Sequence, residues 1–178
     1  MNREGLELIR TRRVVRELTS EPVAREHIET VLEAAGHAPN AGNRRLQTFV
    51  VVEDPGLLHV LRMVAPGMLQ RPTAVIVVCV DVERAVAFGF APTARGLYVD
   101  VGTVAQTMLL AAHALGLGAG PVSSFSHAAV SAALNLPPGW SPELMVCLGH
   151  PAAAHARPMA SQRRRAWRDL THWGRFEQ

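Results

Sequence analysis

The chain of 178 residues is 48% hydrophobic and 19% charged, which excludes intrinsic disorder and supports one folded domain, over residues 1–178, with a sizeable core. Its formal charge of +3 is modest and only 5% of its residues are aromatic, so we expect no nucleic-acid partner. The longest strongly apolar run, residues 74–80, is too short to span a membrane, and no apolar run follows the first residues. We therefore expect a cytoplasmic protein with neither a signal peptide nor a membrane anchor.

A basic stretch follows a short helix predicted over residues 5–10. Arg12, Arg13 and Arg16 place three guanidinium groups within five residues. Each guanidinium offers hydrogen-bond donors in a planar fork that suits phosphate or carboxylate oxygens. On a helix these arginines would share a face, where like charges cost only about 0.2–0.5 kcal/mol per pair. The stretch is either an anion site or a solvated basic face, and these residues alone do not decide between the two.

The next segments predict a helix, a loop and two strands. Residues 19–22 carry a capping hydroxyl and a proline, which favours a helix that starts there and runs through Ala38. Residues 39–43 form a loop by composition. Residues 48–53 are β-branched and apolar, which predicts a central strand. Residues 73–81 are apolar almost throughout, as expected for a strand covered on both faces, and a helix is predicted between the two strands.

The second half of the chain predicts one long helix and several shorter elements. Residues 100–117 are apolar nearly all round, which favours a helix packed on most sides. The glycine run at residues 116–120 follows a helix and precedes a strand, so it is interpreted as a helix end rather than a dinucleotide loop. A helix over residues 126–135 and a strand over residues 143–148 complete a pattern that indicates an α+β or α/β domain. Residues 85–96 resist assignment and could form a mobile flap.

Few side chains could act as nucleophiles, bases or metal ligands. The eight histidines are scattered, with no second histidine or carboxylate at ligand spacing, so no metal site is expected. Ser123 and Ser124 lack the Gly-x-Ser-x-Gly context of a nucleophile elbow. Cys79 and Cys147 lie in apolar, strand-like runs, which predicts buried, reduced thiols. No catalytic side chain is assigned, and any reactivity would come from a cofactor.

Several segments, in the same order, resemble the nitroreductase family of FMN-dependent flavoproteins. Residues 11–18 resemble its Arg-Arg-Ser-Val-Arg-x-Phe opening, and residues 22–49 resemble its segment from a Pro-Val helix start through an Ala-Pro-Ser-x-x-Asn loop into a strand. Residues 109–125 resemble its core helix and following loop, while Leu136-Pro137 and residues 148–151 match later landmarks. The resemblance implies an α+β, three-layer fold with a central, mostly antiparallel sheet flanked by helices, and an intertwined dimer.

The resemblance also implies a cofactor, its binding residues and a reaction. FMN would lie at the interface of a homodimer and carry a hydride between NAD(P)H and an electron-poor small molecule, such as a nitroaromatic or a quinone. The residues that match the phosphate grip are Arg12, Arg13, Val14 and Arg16, with Arg163 or Arg164 near the C-terminus. The loop that contacts the flavin from the partner subunit is matched by Asn40, Ala41 and Asn43. The loop lining the flavin ring near N5 is matched by Pro121, Val122, Ser123 and Ser124.

Departures from the family pattern leave alternatives open. Val14 stands where a serine is usual, which removes a hydroxyl from the phosphate site, and Arg45-Leu46-Gln47 stands where Gln-Pro-Trp is common. Residues 81–98 are also short by family standards. Residues 120–125 and 161–174 resemble the cyclic dipeptide oxidase branch, whose members dehydrogenate a Cα–Cβ bond. That reaction, with a possible second subunit, is the alternative activity, and a non-enzymatic flavin or nucleic-acid binder is the alternative from a different class.

Overall fold

A computed structural model describes residues 4–91, 95–152 and 166–175, in which four strands form one sheet. The strands are β1 (Gln47–Val52), β2 (Ala74–Asp81), β3 (Gly118–Val122) and β4 (Trp140–Gly149). They lie in the order β1-β2-β4-β3, and every neighbouring pair is antiparallel. The strand order places β3 at one edge of the sheet and β1 at the other.

Helices cover both faces of this sheet. The described residues form α1 (Glu4–Thr11), α2 (Arg25–Gly36), α3 (Pro55–Val64), α4 (Val82–Ala87), α5 (Arg95–Ala114) and α6 (His127–Ala133). Side chains alternate across a strand, so Ile76 and Val78 of β2 pack with α2 and α5, whereas Val75 and Val77 pack with α3 and α6. This three-layer α+β arrangement confirms the fold that the resemblance implied.

Two strand predictions had different outcomes. The apolar run at residues 73–81 forms β2, which is buried on both faces as predicted. The run at residues 48–53 forms β1, but the prediction that it is central was wrong, because β1 lies at the sheet edge and is mostly half-buried. A β-branched run indicates extended backbone, but the identity of its neighbours depends on distant parts of the chain.

Several helix boundaries also differ from the sequence expectation. The predicted start at residues 19–22 was wrong: α2 begins at Arg25 and ends at Gly36 rather than at Ala38, and Glu21 O, which a helix starting at residues 19–22 would use internally, accepts from Thr73 Oγ1 (3.2 Å). The long helix α5 begins earlier than predicted, at Arg95, and ends at Ala114. Gly116 then adopts φ = +74° and β3 begins at Gly118, so the glycine run ends the helix as predicted.

Residues 85–96, to which the sequence assigns no element, contain the end of α4 and the start of α5. Residues 92–94 lie outside the described residues, and a flap there stays a prediction. Within the described ranges, none of the helices combines the length and the apolar character that crossing a bilayer requires.

The two cysteines are buried, unpaired thiols in the middle of the sheet, as predicted. Burial raises the pKa of Cys147 from its usual 9.0 to about 12. Burial, with a smaller contribution from the Glu143 carboxylate, raises the pKa of Cys79 from 9.0 to about 11. Both groups are therefore neutral thiols at physiological pH.

Because the thiolate is the reactive form, we expect neither thiol of the folded protein to react with an aromatic disulfide reagent at about pH 8, and both to react in denaturant. Above pH 9.0 the unfolded chain loses thiol protons that the folded chain keeps up to about pH 11 and 12, so the free energy of unfolding should fall across this interval. Denaturant titrations of wild type and of a Cys79→Ala/Cys147→Ala variant would measure the pH slope. Rapid modification of the native protein would contradict the burial.

Candidate functional site

The arginine stretch, residues 12–16, leaves the end of α1 and runs as extended backbone beside β3. Val15 N–H donates to Ala119 O of β3 at 3.0 Å. Farther along, Ala152 N–H donates to Glu17 O at 3.0 Å, and Leu18 forms an isolated bridge with Pro151. These contacts fasten the stretch to the β3 edge of the sheet, so its three arginines do not share a helix face.

Two glycines of β3 allow this close approach. A Cβ atom on Gly118 would lie 2.6 Å from Leu18 Cδ2 and 3.0 Å from Val15 Cγ1. A Cβ atom on Gly120 would lie 2.5 Å from Gln70 Nε2 and 3.1 Å from Val14 Cγ1. The glycines after α5 therefore have a second role besides ending the helix, because they let the arginine stretch lie directly against the sheet.

The guanidinium groups of the stretch lack acidic partners. Within the described residues, no carboxylate forms an ion pair with Arg12, Arg13 or Arg16. Arg13 Nη1 donates to the carbonyl oxygens of Arg10 (2.6 Å) and Arg12 (2.8 Å). Arg12 Nη1 is buried and has no hydrogen-bond partner among the residues that the structure describes, and Arg16 is exposed. This uncompensated charge, with one buried donor left unused, fits an anion better than a fully solvated basic face.

The loop that follows β3 lies at the same sheet edge. Of the four residues expected in this loop, Ser123 and Ser124 lie in it and are exposed. Pro121 and Val122 instead form the end of β3, where Pro121 is exposed and Val122 is buried in the core between the sheet and α3. Gly67 N–H donates to Ser124 O at 3.0 Å, and Ser126 N–H donates to Val64 O at 2.9 Å. The arginine stretch and this loop, which the sequence assigned separately, are thus brought together along β3.

The third predicted segment of the site, residues 40–43, lies against α5 and not at the β3 edge. Its 3₁₀ turn, Ala41–Asn43, is anchored by Asp100 of α5, which is only 6% exposed and accepts the Ala41 N–H with both carboxylate oxygens at 3.0 Å. Arg45 N–H donates to Asn40 Oδ1 at 3.1 Å, which closes the loop before β1. Arg45 itself is exposed. Asn40 and Ala41 are half-buried, while Asn43 is exposed and adopts φ = +54°.

Helix α5 separates the two clusters. Thr11 Oγ1, next to the arginine stretch, lies 3.0 Å from His113 Nε2 near the end of α5. Asp100, which holds the Asn40–Asn43 loop, is thirteen residues earlier, or roughly 20 Å along the axis. One chain therefore does not bring Asn40–Asn43 against the arginine stretch. Arg163 and Arg164 lie outside the described residues.

Sequence reasoning missed Gln70. Its side chain is only 2% exposed. A Cβ atom on Gly120 would meet both Gln70 Nε2 and Val14 Cγ1, so the two side chains pack beside this glycine. A single amide between Leu69 and Arg71 has no periodic signal, so only the folded structure reveals a buried polar group at this edge of the site.

The described residues contain no group of three or more histidines, cysteines or acidic residues that could hold a metal ion. The donors at the β3 edge are instead guanidinium and amide nitrogens, which match anionic and carbonyl oxygens. The geometry can therefore hold an anionic group beside a loop of exposed backbone.

Comparison with known proteins gives consistent matches. A family model described as the nitroreductase family matches residues 9–85 and 64–150. The 5,6-dimethylbenzimidazole synthase of Rhodospirillum rubrum is 28% identical, over 88% of this chain and 86% of that protein. An FMN reductase [NAD(P)H] of Bacillus subtilis is 26% identical, over 86% of this chain and 68% of that protein. The solved structure of a putative NADH dehydrogenase/NAD(P)H nitroreductase from Bacteroides thetaiotaomicron superposes with a TM-score of 0.80 and 26% identity, covering 99% of this chain and 100% of that one.

The packing at β3 can be tested by adding one methyl group. Gly118→Ala should destabilise the protein by about 1–3 kcal/mol, because the new Cβ overlaps Leu18 and Val15. Gly36→Ala at the end of α2 is the matched control, since a Cβ there meets nothing within 4 Å. Denaturant unfolding of both variants measures the difference, and equal stabilities would contradict the close approach.

Proposed function

Because the chain belongs to the nitroreductase family, we propose that it is an FMN-dependent oxidoreductase that transfers a hydride between NAD(P)H and an electron-poor small molecule. The observation that carries this proposal is the arginine stretch, which packs on β3 without acidic partners in the described residues and lies beside the exposed Ser123 and Ser124. The similar Bacillus subtilis protein, named as an FMN reductase [NAD(P)H], supports both the cofactor and the electron donor.

The arginine stretch would hold the flavin phosphate. A phosphate dianion converts the mutual repulsion of Arg12, Arg13 and Arg16 into attraction, through charge-assisted hydrogen bonds of roughly 1.5–3 kcal/mol each. The buried, unused Nη1 donor of Arg12 supports this role. The side chain of Val14 has no polar atom, so only its backbone would bind the phosphate. Arg163 or Arg164 would add a further positive charge to the phosphate site.

The loop after β3 would orient the flavin ring. When bound, FMN supplies the hydride-accepting and hydride-donating chemistry. Pro121 and Val122 at the end of β3, with Ser123 and Ser124 in the loop, would contribute backbone acceptors, and all of them except Pro121, which has no N–H, could also contribute a backbone donor. The two backbone hydrogen bonds that tie this segment to Val64 and Gly67 support a preorganised wall. The buried amide of Gln70, beside Gly120, would add a polar contact to that wall.

A second copy of the chain would complete the site. Asn40, Ala41 and Asn43 lie near the opposite end of α5 from the arginine stretch, so they would contact a flavin bound by the other subunit. Exposed apolar side chains on α1 and at the start of α5 support a homodimer interface there, for example Ile9 (58% exposed) and Val99 (62% exposed).

One observation favours a second candidate function. The similar Rhodospirillum rubrum protein is named as a synthase rather than a reductase. The corresponding candidate here is the oxidation of an organic substrate by the flavin without NAD(P)H, such as formation of a Cα–Cβ double bond in a cyclic dipeptide.

An anaerobic spectrum separates the two candidates. The purified protein should be yellow, NADPH or NADH should bleach it, and a quinone or nitroaromatic should restore the colour. Bleaching by a cyclic dipeptide, with no response to either nicotinamide, would favour the second candidate. A protein that stays colourless after incubation with FMN would contradict both.

The phosphate contact can be separated from the ring contacts. Arg16→Ala should weaken FMN binding roughly ten- to a hundredfold, because one charge-assisted contact with the phosphate is lost. Riboflavin affinity should be unchanged, because riboflavin has no phosphate. Val14→Ser should tighten FMN binding by restoring a hydroxyl. Arg84→Ala, at an exposed arginine on α4, is the control for loss of charge alone. Equal losses for FMN and riboflavin would remove Arg16 from the phosphate site, and fluorescence titration measures both affinities.

A further inference from the structure

A cavity lies at the opposite end of β2 from α4. It has a volume of about 510 Å³ and is enclosed by α3, by residues 18–23 and by the residues that lead into β2. We call it the α3 pocket. Its lining includes none of the residues assigned to the flavin, so it is a separate feature of the molecule. Its volume is in the range of pockets that hold small organic ligands.

The walls of the α3 pocket carry more positive than negative charge. Arg62 and Arg71 line it, and within the described residues neither forms an ion pair. The acidic residue of the lining is Glu53, whose Oε2 already lies 2.7 Å from Arg25 Nη2. The two guanidinium groups are thus left without a counter-charge from the pocket itself.

Arg62 also has an unused donor. Its Nε atom is buried and has no hydrogen-bond partner among the described residues. A buried guanidinium N–H without an acceptor is unfavourable. The Arg62 side chain lines the pocket without an acidic partner among the described residues, and an anion in the pocket would supply that partner. The planar guanidinium fork matches a carboxylate in particular, and the nearby Glu53 charge disfavours a dianion more than a monoanion.

The remaining walls are largely apolar. Leu18, Val23 and Leu58 line the pocket together with prolines of the neighbouring turns. Such walls favour a ligand with a hydrocarbon or aromatic body, because burying that body removes apolar surface from water. We propose that the α3 pocket is a binding site for a small carboxylic acid with an apolar body, which goes beyond the proposed flavin chemistry and does not depend on it.

Isothermal titration calorimetry on the flavin-loaded protein tests this, with naphthylacetate as the probe and uncharged naphthylacetamide as its isosteric control. We expect saturable binding of the acid. The amide should bind roughly ten- to a hundredfold more weakly, because it lacks one charge-assisted contact. Arg62→Met, which keeps a long apolar side chain, should weaken the acid by a similar factor, and Arg71→Met provides a second variant if Arg62→Met does not fold. Arg84→Met, outside the pocket, should bind the acid as wild type does.

Three results would overturn the proposal. They are absence of saturable binding to the wild type, equal affinity for acid and amide, and unchanged affinity in the Arg62→Met and Arg71→Met variants. The last of these would mean that the acid binds elsewhere, for example beside the arginine stretch.

Discussion

The candidate site depends on how closely the extended residues 14–18 approach the sheet. Gly118, Gly120 and Gly149 leave room for Val14, Val15 and Leu18, and a Cβ on any of the three would lie 3.0 Å or less from a neighbouring side chain. This packing holds the neighbouring guanidinium groups at the β3 edge although no acidic residue in the described ranges pairs with them. Apolar packing on one side of the stretch thus compensates for like-charge repulsion on the other, and leaves the arginines available to an anion.

Helix α5 determines the distance between the two halves of the site. Near its start, the buried Asp100 fixes the Asn40–Asn43 loop through the Ala41 N–H, and near its end His113 meets Thr11. Because a helix is a rigid spacer of about 1.5 Å per residue, the two halves cannot converge within one chain without breaking these contacts. The proposal of a site shared between two copies is based on this rigidity together with the exposed apolar side chains on α1 and α5.

The sequence predicted those features that depend on local patterns. The uninterrupted apolar run of β2 indicated a strand buried on both faces, and the glycine run after α5 was recognised as a helix end. The predictions that failed depend on tertiary partners. The edge position of β1 is decided by strand pairing, and the chain before α2 is held in non-helical contacts, with Leu18 bridging Pro151 and Glu21 O accepting from Thr73 Oγ1. The position of Gln70 at the site could not be predicted from the sequence, because it depends on contacts with Gly120 and Val14, which are distant in sequence.

The location of the perturbed thiols bears on how this protein would catalyse a reaction. Cys79 and Cys147, whose pKa values are raised to about 11 and about 12, lie in the sheet core and not at the β3 edge. The β3 edge instead presents guanidinium groups, the amide of Gln70 and backbone, which bind and orient but do not exchange protons near neutral pH. A site of this composition would depend on a bound cofactor for its chemistry. Of the departures from the family pattern, Val14 lies at this edge, whereas Arg45 is exposed beside the loop at residues 40–43 and Leu46 is buried in the core.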